Sequence, residues 1–235
     1  KRIVSSIEQL VNLNGNYDVV ILDEIEELLE HFSCGTSTMT ERRSKAHAKF
    51  ARFVRMARTV IALDARMKSR TMRFLSTHRR KELTHCVINA HVPDRGNMHV
   101  IHLKEEFYSQ LLRNVASGKP GVLATNTKKE ALTIAGILKK KKPGLRMLQI
   151  NSTTMKNPEI AQMAANATVD WPKFDIVIYT PSVSAGIDCN TDKFKWGMVF
   201  AVQCSTNVDG LVQQIGRARQ VREWFLYLAP SFVDR

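Results

Sequence analysis

Short β-branched apolar runs, each closed by a polar or acidic residue and followed by helical periodicity, recur along this chain and restrict its fold more than any other feature. The clearest, Tyr17-Asp18-Val19-Val20-Ile21-Leu22, is too short for a helix and runs directly into Asp23-Glu24, as expected of a buried strand in a parallel sheet. A helix is expected around Glu26 to His31, a Ser/Thr/Gly loop from Ser33 to Thr40, and a basic amphipathic helix from about Glu41 to Ala57. Thr59 to Leu63 is a second buried strand that again ends in an acid, Asp64, and a helix over 69–76 follows. From about His85 to Leu103 two short extended pieces, Cys86–Asn89 and Met98–His102, flank Val92-Pro93-Asp94-Arg95-Gly96-Asn97. These turn-forming residues mark a domain boundary between 1–93 and 94–235. Alternation then resumes with a helix over 104–116, strand Gly121–Thr125, helix Lys128–Lys140, strand Leu145–Ile150 and a helix over 158–165. Strands Phe174–Tyr179 and Trp196–Gln203, helix Val208–Ala218 and strand Trp224–Leu228 complete it. Both parts read as α/β layers on mostly parallel sheets. Lys139 to Lys142 reads as a solvated helix end.

Composition narrows the function classes. With 44% hydrophobic and 24% charged residues, a chain of 235 residues buries a sizeable core and is not a disordered or collagenous segment. No run of 18 apolar residues is present, and Lys1-Arg2-Ile3-Val4 is followed by Ser and Glu and not by a signal-peptide stretch. The chain does not open on Met, so residue 1 is expected to lie inside a longer protein. Cys34, Cys86, Cys189 and Cys204 are too scattered for a disulfide framework or a zinc site and read as reduced packing thiols. The 35 Lys and Arg against 22 Asp and Glu leave a net charge of +13, which attracts polyanions, nucleic acid first among them; a merely soluble basic surface fits the same number.

Parallel sheets place functional groups beyond the carboxyl ends of their strands. Asp23-Glu24-Ile25-Glu26 stands at such an end, where one carboxylate can hold a phosphate-bound magnesium and its neighbour can orient or deprotonate an attacking water. Asp23 suits the metal and Glu24 the water, although acids at this point also serve simply to favour a helix N-terminus. Near the other end, Gln213-Gln214-Ile215-Gly216-Arg217-Ala218-Arg219 lies on an expected helix. Its arginines suit a triphosphate, and Gly216 permits close approach of a backbone or nucleotide. A basic surface helix is the plainer alternative. Tyr179-Thr180-Pro181-Ser182-Val183-Ser184-Ala185-Gly186-Ile187-Asp188 follows a third strand.

Taken together, these segments resemble the nucleic-acid-dependent ATPases and helicases of superfamily 2, which are built from two RecA-like domains. Asp23 to Glu26 looks like motif II, and Ala62-Leu63-Asp64-Ala65 occupies the place of motif III. Thr125-Asn126-Thr127-Lys128-Lys129-Glu130-Ala131 is similar to motif IV, Thr180 to Asp188 to motif V, and Gln213 to Arg219 to motif VI. Within that superfamily the chain most resembles the herpesvirus replication origin-binding protein helicase family. The features that carry this are Leu63-Asp64-Ala65-Arg66 in place of Ser-Ala-Thr, the phrase from Tyr179 to Asp188, and Gly216-Arg217-Ala218-Arg219. Ser6-Ile7-Glu8-Gln9-Leu10 looks like that family's strand-contacting segment. The DEAD-type pattern places its second motif VI arginine three residues after the first, where this chain has Gln220; Arg217 keeps the matched position and Arg219 does not share it.

The resemblance implies an ATP- and Mg2+-dependent DNA helicase working in replication, at the intracellular site of DNA synthesis and alongside other replication proteins. Asp23 would bind the metal, and Glu24, Gln213, Arg217 and Arg219 would be catalytic. Gly186, Asp188 and Gly216 would contact the nucleotide, with Asp188 near the ribose. Ser6, Thr125, Asn126, Thr180 and Ser182 would hold the backbone of a single DNA strand. A phosphate loop Gly-x-x-x-x-Gly-Lys-Ser/Thr is absent from the sequence, and Ser117-Gly118-Lys119-Pro120 cannot replace it because Pro120 lacks a backbone donor. The expectation is therefore a fragment whose first domain is incomplete at its N-terminus and which is inactive by itself as an ATPase. The alternatives are a degenerate, non-enzymatic nucleic-acid-binding module and an RNA helicase of the same superfamily.

Overall fold

Parallel pairing organises both sheets in the computed structural model, which describes residues 2–33, 43–65, 67–79, 85–88, 96–183, 187–202 and 208–230. The chain divides into two units, Lys1–Ala90 and His91–Arg235. The first contains a 3-10 turn at Ile7–Asn12, β1 (Val19–Asp23), α1 (Ile25–Ser33), α2 (Arg43–Met56), β2 (Thr59–Leu63) and α3 (Ser69–His78). β1 and β2 pair in parallel, so Leu22 stands opposite Ala62 and Asp23 opposite Leu63. Helix α2 forms because Ala46, Phe50, Phe53 and Val54 recur at helical spacing and are buried along one stripe. Phe50 stacks on Phe74 of α3 with ring centroids 5.2 Å apart, and Ile25 and Leu29 of α1 complete this core.

The expectation that both strands are buried needs correction. Val20, Leu22, Val60 and Ala62 face the helices, whereas Val19, Ile21, Ile61 and Leu63 are exposed on the opposite face. Apolar residues on both faces promise two covering layers, and among the described residues only one is present.

The second unit is a six-stranded parallel sheet in the order β3-β8-β7-β4-β6-β5. Its strands are β3 (Asn97–Ile101), β4 (Gly121–Thr125), β5 (Met147–Ile150), β6 (Ile176–Tyr179), β7 (Trp196–Ala201) and β8 (Glu223–Leu228). Helices α4 (Lys104–Ala116) and α5 (Lys128–Lys141) cover one face through Phe107, Leu111, Ile134 and Leu138. Helices α6 (Pro158–Ala165), α7 (Ala167–Asp170) and α8 (Val208–Gly216) cover the other, together with Trp171. Local sequence sets the helix starts. Thr127 accepts the Glu130 amide at 3.2 Å ahead of α5, and Asn157, followed by Pro158, accepts the Glu159 amide at 2.9 Å ahead of α6.

Several boundaries differ from those expected. Residues 85–88 form no strand, and α8 stops at Gly216, so Arg217 to Arg219 lie beyond the helix. Lys142 is not merely solvated: its ammonium donates to the Val115 carbonyl at 3.1 Å, at the end of α4. Cys189 is a buried packing thiol but Cys86 is exposed; Cys34, Cys204, most of the 33–40 loop and the turn at 92–95 lie outside the described residues.

Two glycines admit two tryptophans into the sheet. Gly121 pairs with Trp196 and Gly197 with Trp224 on neighbouring strands, and both indoles are buried. A methyl group on Gly197 would lie 2.4 Å from the Trp224 ring, and one on Gly121 would lie 2.2 Å from Trp196. Trp196 Nε1 donates to the Lys119 carbonyl at 2.9 Å and Trp224 Nε1 to Val221 at 3.2 Å, so neither ring can move without losing a bond. Gly197→Ala is therefore expected to destabilise the chain by about 1–3 kcal/mol in urea unfolding. Gly136→Ala, in α5 with open space around it, is expected to be neutral or stabilising by up to about 1 kcal/mol. Equal effects of the two would show that the Trp224 contact does not limit packing.

Candidate functional site

In the first unit the acids after β1 occupy three different environments. Asp23, the last residue of β1, is exposed, and Glu24 is half-buried with φ +50, a left-handed conformation unusual for a residue with a side chain. Ile25 then starts α1. Glu26 is buried at 7% exposure and spans two loops. Its amide donates to Asp64 Oδ2 at 2.8 Å, so the acid after β2 caps α1. Its own carboxylate accepts from the Lys68 amide at 2.7 Å, the Thr71 hydroxyl at 2.5 Å and the Arg70 guanidinium at 2.9 Å, and so caps α3. Arg70 also donates to the Glu26 carbonyl at 2.8 Å. Burial alone would raise the Glu26 pKa, but the bonds from Thr71, Lys68 and Arg70 outweigh it and hold the carboxyl below the usual glutamate range. The segments resembling motifs II and III are thereby joined by charge-assisted hydrogen bonds.

In the second unit the strand ends gather at one sheet edge. Asn126, just past β4, donates to the Val202 carbonyl at 2.6 Å and accepts the Val202 amide at 3.0 Å, locking the ends of β4 and β7. Tyr179, fully buried at the end of β6, donates its hydroxyl to the Gln214 carbonyl in α8 at 2.8 Å; burial pushes this phenol far up, leaving it a permanent donor. The segments 187–190 and 217–220 then run alongside each other. The Cys189 amide donates to the Arg217 carbonyl at 2.7 Å, the Arg219 amide to the Cys189 carbonyl at 3.1 Å, and Arg217 Nη1 to the Ile187 carbonyl at 3.2 Å. Arg219 forms an ion pair with Asp188 at the surface. Burial pushes the Cys189 thiol up to about 12, which makes it a packing group and not a nucleophile.

The structure thus brings Arg217, Arg219 and Asp188 to one edge and leaves Gln213 half-buried on α8, while Gly186 lies outside the described residues. Gly216 is exposed, with nothing within 4 Å of a methyl group added there among the described residues outside its own helix. The expected strand-contacting residues differ in exposure. Thr125 and Thr180 are buried at 0% and 3% exposure and Asn126 at 8%, with the Asn126 amide spent on Val202. Of the five expected residues, Ser6 and Ser182 retain accessible side chains. Sequence reasoning missed the clamps made by Glu26, Tyr179 and Asn126, because their partners are distant in the chain. The one available signal was Lys68-Ser69-Arg70-Thr71, donors clustered at a helix start.

A family model for the origin of replication binding protein matches residues 1–235. The chain belongs to this family. It is 26% identical over 226 residues to a helicase/primase complex protein of African swine fever virus, covering 94% of this chain and 20% of that protein. It is 24% identical over 244 residues to the replication origin-binding protein of human herpesvirus 6A, covering 99% of this chain and 30% of that one. The chain therefore spans less than a third of either relative. Among solved structures it is similar to S. cerevisiae Dbp5 bound to RNA and ADP BeF3, with a TM-score of 0.60 at 12% identity, covering 96% of this chain and 57% of that one. It is also similar to the Mycobacterium smegmatis helicase Lhr bound to ssDNA and AMP-PNP, with a TM-score of 0.56 at 13% identity, covering 94% and 29%. The shared feature is the RecA-like α/β fold.

In this origin-binding family member the Glu26 clamp makes a pH-dependent prediction. Its folded-state pKa lies below the ordinary value of 4.5, so the stabilisation from its carboxylate is complete above that pH and fades as the pH falls through the folded value. Glu26→Gln is expected to cost about 1–3 kcal/mol at pH 7 in urea unfolding. The gap to wild type should narrow under acid; a gap independent of pH would mean that shape, and not charge, holds the loops.

Proposed function

We propose that this chain carries the hydrolytic and strand-holding groups of an ATP-dependent DNA helicase that acts in replication. The observation that most supports the reading is the Asp23-Glu24 pair at the end of a parallel strand, with Glu24 held in a left-handed backbone and the next acid, Glu26, locked at both ends. Rigid backbone support of this kind is what a positioned acid and base need.

The residues fit a nucleotide-borne magnesium. Such an ion takes one or two protein carboxylates and keeps several waters, and Asp23 offers one carboxylate to solvent. Among the described residues no group of three or more His, Cys, Asp and Glu is gathered, which fits a cation carried by phosphates better than one caged by protein. Bound ATP and magnesium would supply the phosphoanhydride to be cleaved and part of the charge neutralisation. Asp23 would hold the cation, and Glu24 would orient a water and accept its proton at a carboxylate oxygen. Arg217, steadied by the Ile187 carbonyl, would meet the charge that develops on the transferred phosphoryl group. Ser182, the peptide groups around it, and Ser6 contact strand phosphates without reading sequence. The names of the herpesvirus relative and of the Lhr complex support DNA as the partner.

The test uses the longer protein that contains this chain. Glu24→Gln is expected to lower DNA-stimulated hydrolysis by about 100-fold or more while leaving nucleotide binding intact, because the amide keeps the shape but cannot accept the proton. Arg217→Ala is expected to cost about 10³-fold in rate. Arg219→Ala should cost less, since Arg217 and not Arg219 keeps the position shared with the wider superfamily. Glu24→Gln turnover within a few-fold of wild type would remove Glu24 from the role, and a reversed order of the arginines would exchange their assignments.

A further inference from the structure

One of the acid-free basic segments of the first unit lies around helix α2. Between Glu41 and Asp64 the sequence holds seven Lys and Arg and no acid, whereas Asp18, Asp23, Glu24, Glu26, Glu27 and Glu30 crowd the segment before it. Helix α2 buries Ala46, Phe50, Phe53 and Val54 and so turns Lys45, Arg52 and Arg55 outward. At 3.6 residues per turn these three fall within an arc of about 80° and span about 15 Å along the axis. None forms an ion pair with a described acid; Arg52 donates to Asn16 Oδ1 at 3.2 Å, and Lys49, at the edge of the stripe, donates to the Val11 carbonyl at 2.9 Å. Like charges at this spacing repel, so the stripe weakens the helix that carries it unless an anion is present.

We propose that α2 docks on the phosphate backbone of a nucleic-acid duplex, as a surface separate from the groups that hold a single strand. Three features favour this partner. Cations in one arc, without a paired acid among the described residues, complement a row of phosphates. Within the arc of the three charges the exposed residue is Ala48, while the exposed ring of α2, His47, lies about 120° around the helix and packs against Phe32, so the stripe itself has no platform on which unpaired bases would stack. An acidic protein would need apolar anchors along the contact, and the large exposed apolar residue of α2, Met56, stands at its end. The inference extends the nucleic-acid reading above to a second surface and does not depend on hydrolysis.

The test measures binding of the full chain, without nucleotide, to a blunt duplex of about 20 base pairs and to a single strand of the same length, across about 50–200 mM salt. Lys45→Gln/Arg52→Gln/Arg55→Gln is compared with wild type and with the charge-keeping Lys45→Arg/Arg52→Lys/Arg55→Lys, and circular dichroism checks that each is folded. The neutral variant is expected to lose duplex affinity by about tenfold or more at the lowest salt, with a salt slope shallower by about 0.9 for each phosphate that the protein no longer neutralises. Single-strand affinity should stay within about twofold, because that arm reports on the other surface. The charge-keeping variant should bind duplex as wild type does. Unchanged duplex binding by the neutral variant, or an equal fall in affinity for both probes, would overturn the proposal. So would loss of duplex binding by the charge-keeping variant, or displacement of duplex by polyglutamate at matched charge, which would assign the stripe to an acidic protein. Absence of single-strand binding by wild type with duplex binding retained would instead overturn the strand-holding role of the second unit and leave this one standing.

Discussion

Strands that all run in one direction finish at one edge, and the chemistry of the second unit depends on that constraint. In the order β7-β4-β6, the segments following Ala201, Thr125 and Tyr179 emerge side by side although they are far apart in sequence. The Thr180 amide still pairs with the Ile150 carbonyl of β5, whereas Asn126 takes both polar groups of Val202, and Tyr179 ties the end of β6 to the Gln214 carbonyl of α8. These bonds are buried and therefore costly to leave unmade, which fixes where Arg217 and Asp188 arrive.

The first unit solves the same problem with charge. Helices α1 and α3 begin next to one another, and each start presents unsatisfied amide groups. Asp64 serves one start and Glu26 the other, so two loops far apart in sequence are held together by carboxylates. A carboxylate that accepts three donors is held below the usual glutamate range despite burial. The left-handed turn at Glu24 is what allows β1 to give way to α1 within one residue.

The alternation of strands and helices, the parallel sheets and the segments resembling motifs II to VI were all legible in the sequence, because each rests on local apolar spacing or on a short run of residues. Tyr179-Thr180-Pro181-Ser182 could be placed at a strand end from its apolar approach alone. What Thr180 does could not, since a threonine at a strand end turns inward or outward according to what packs above it; here it is 3% exposed and bonded to Ser182 Oγ at 3.2 Å. The helix over Val208–Ala218 was overextended for a related reason: Ala218 and Arg219 have good helix propensity, but pairing with Cys189 supplies backbone partners that end the helix at Gly216.

By itself, then, the sequence determined the class of fold, the order of its elements and the stripe of cations on α2, all properties of neighbours within a few residues. Tertiary structure alone decided that Glu26 is a clamp and Asp23 is not, that Arg219 meets Asp188 while Arg217 meets Ile187, and that β1 and β2 bury one face only. Each of these depends on a partner about thirty residues away or more or on the presence of a second packing layer, and neither is encoded in the spacing of adjacent side chains.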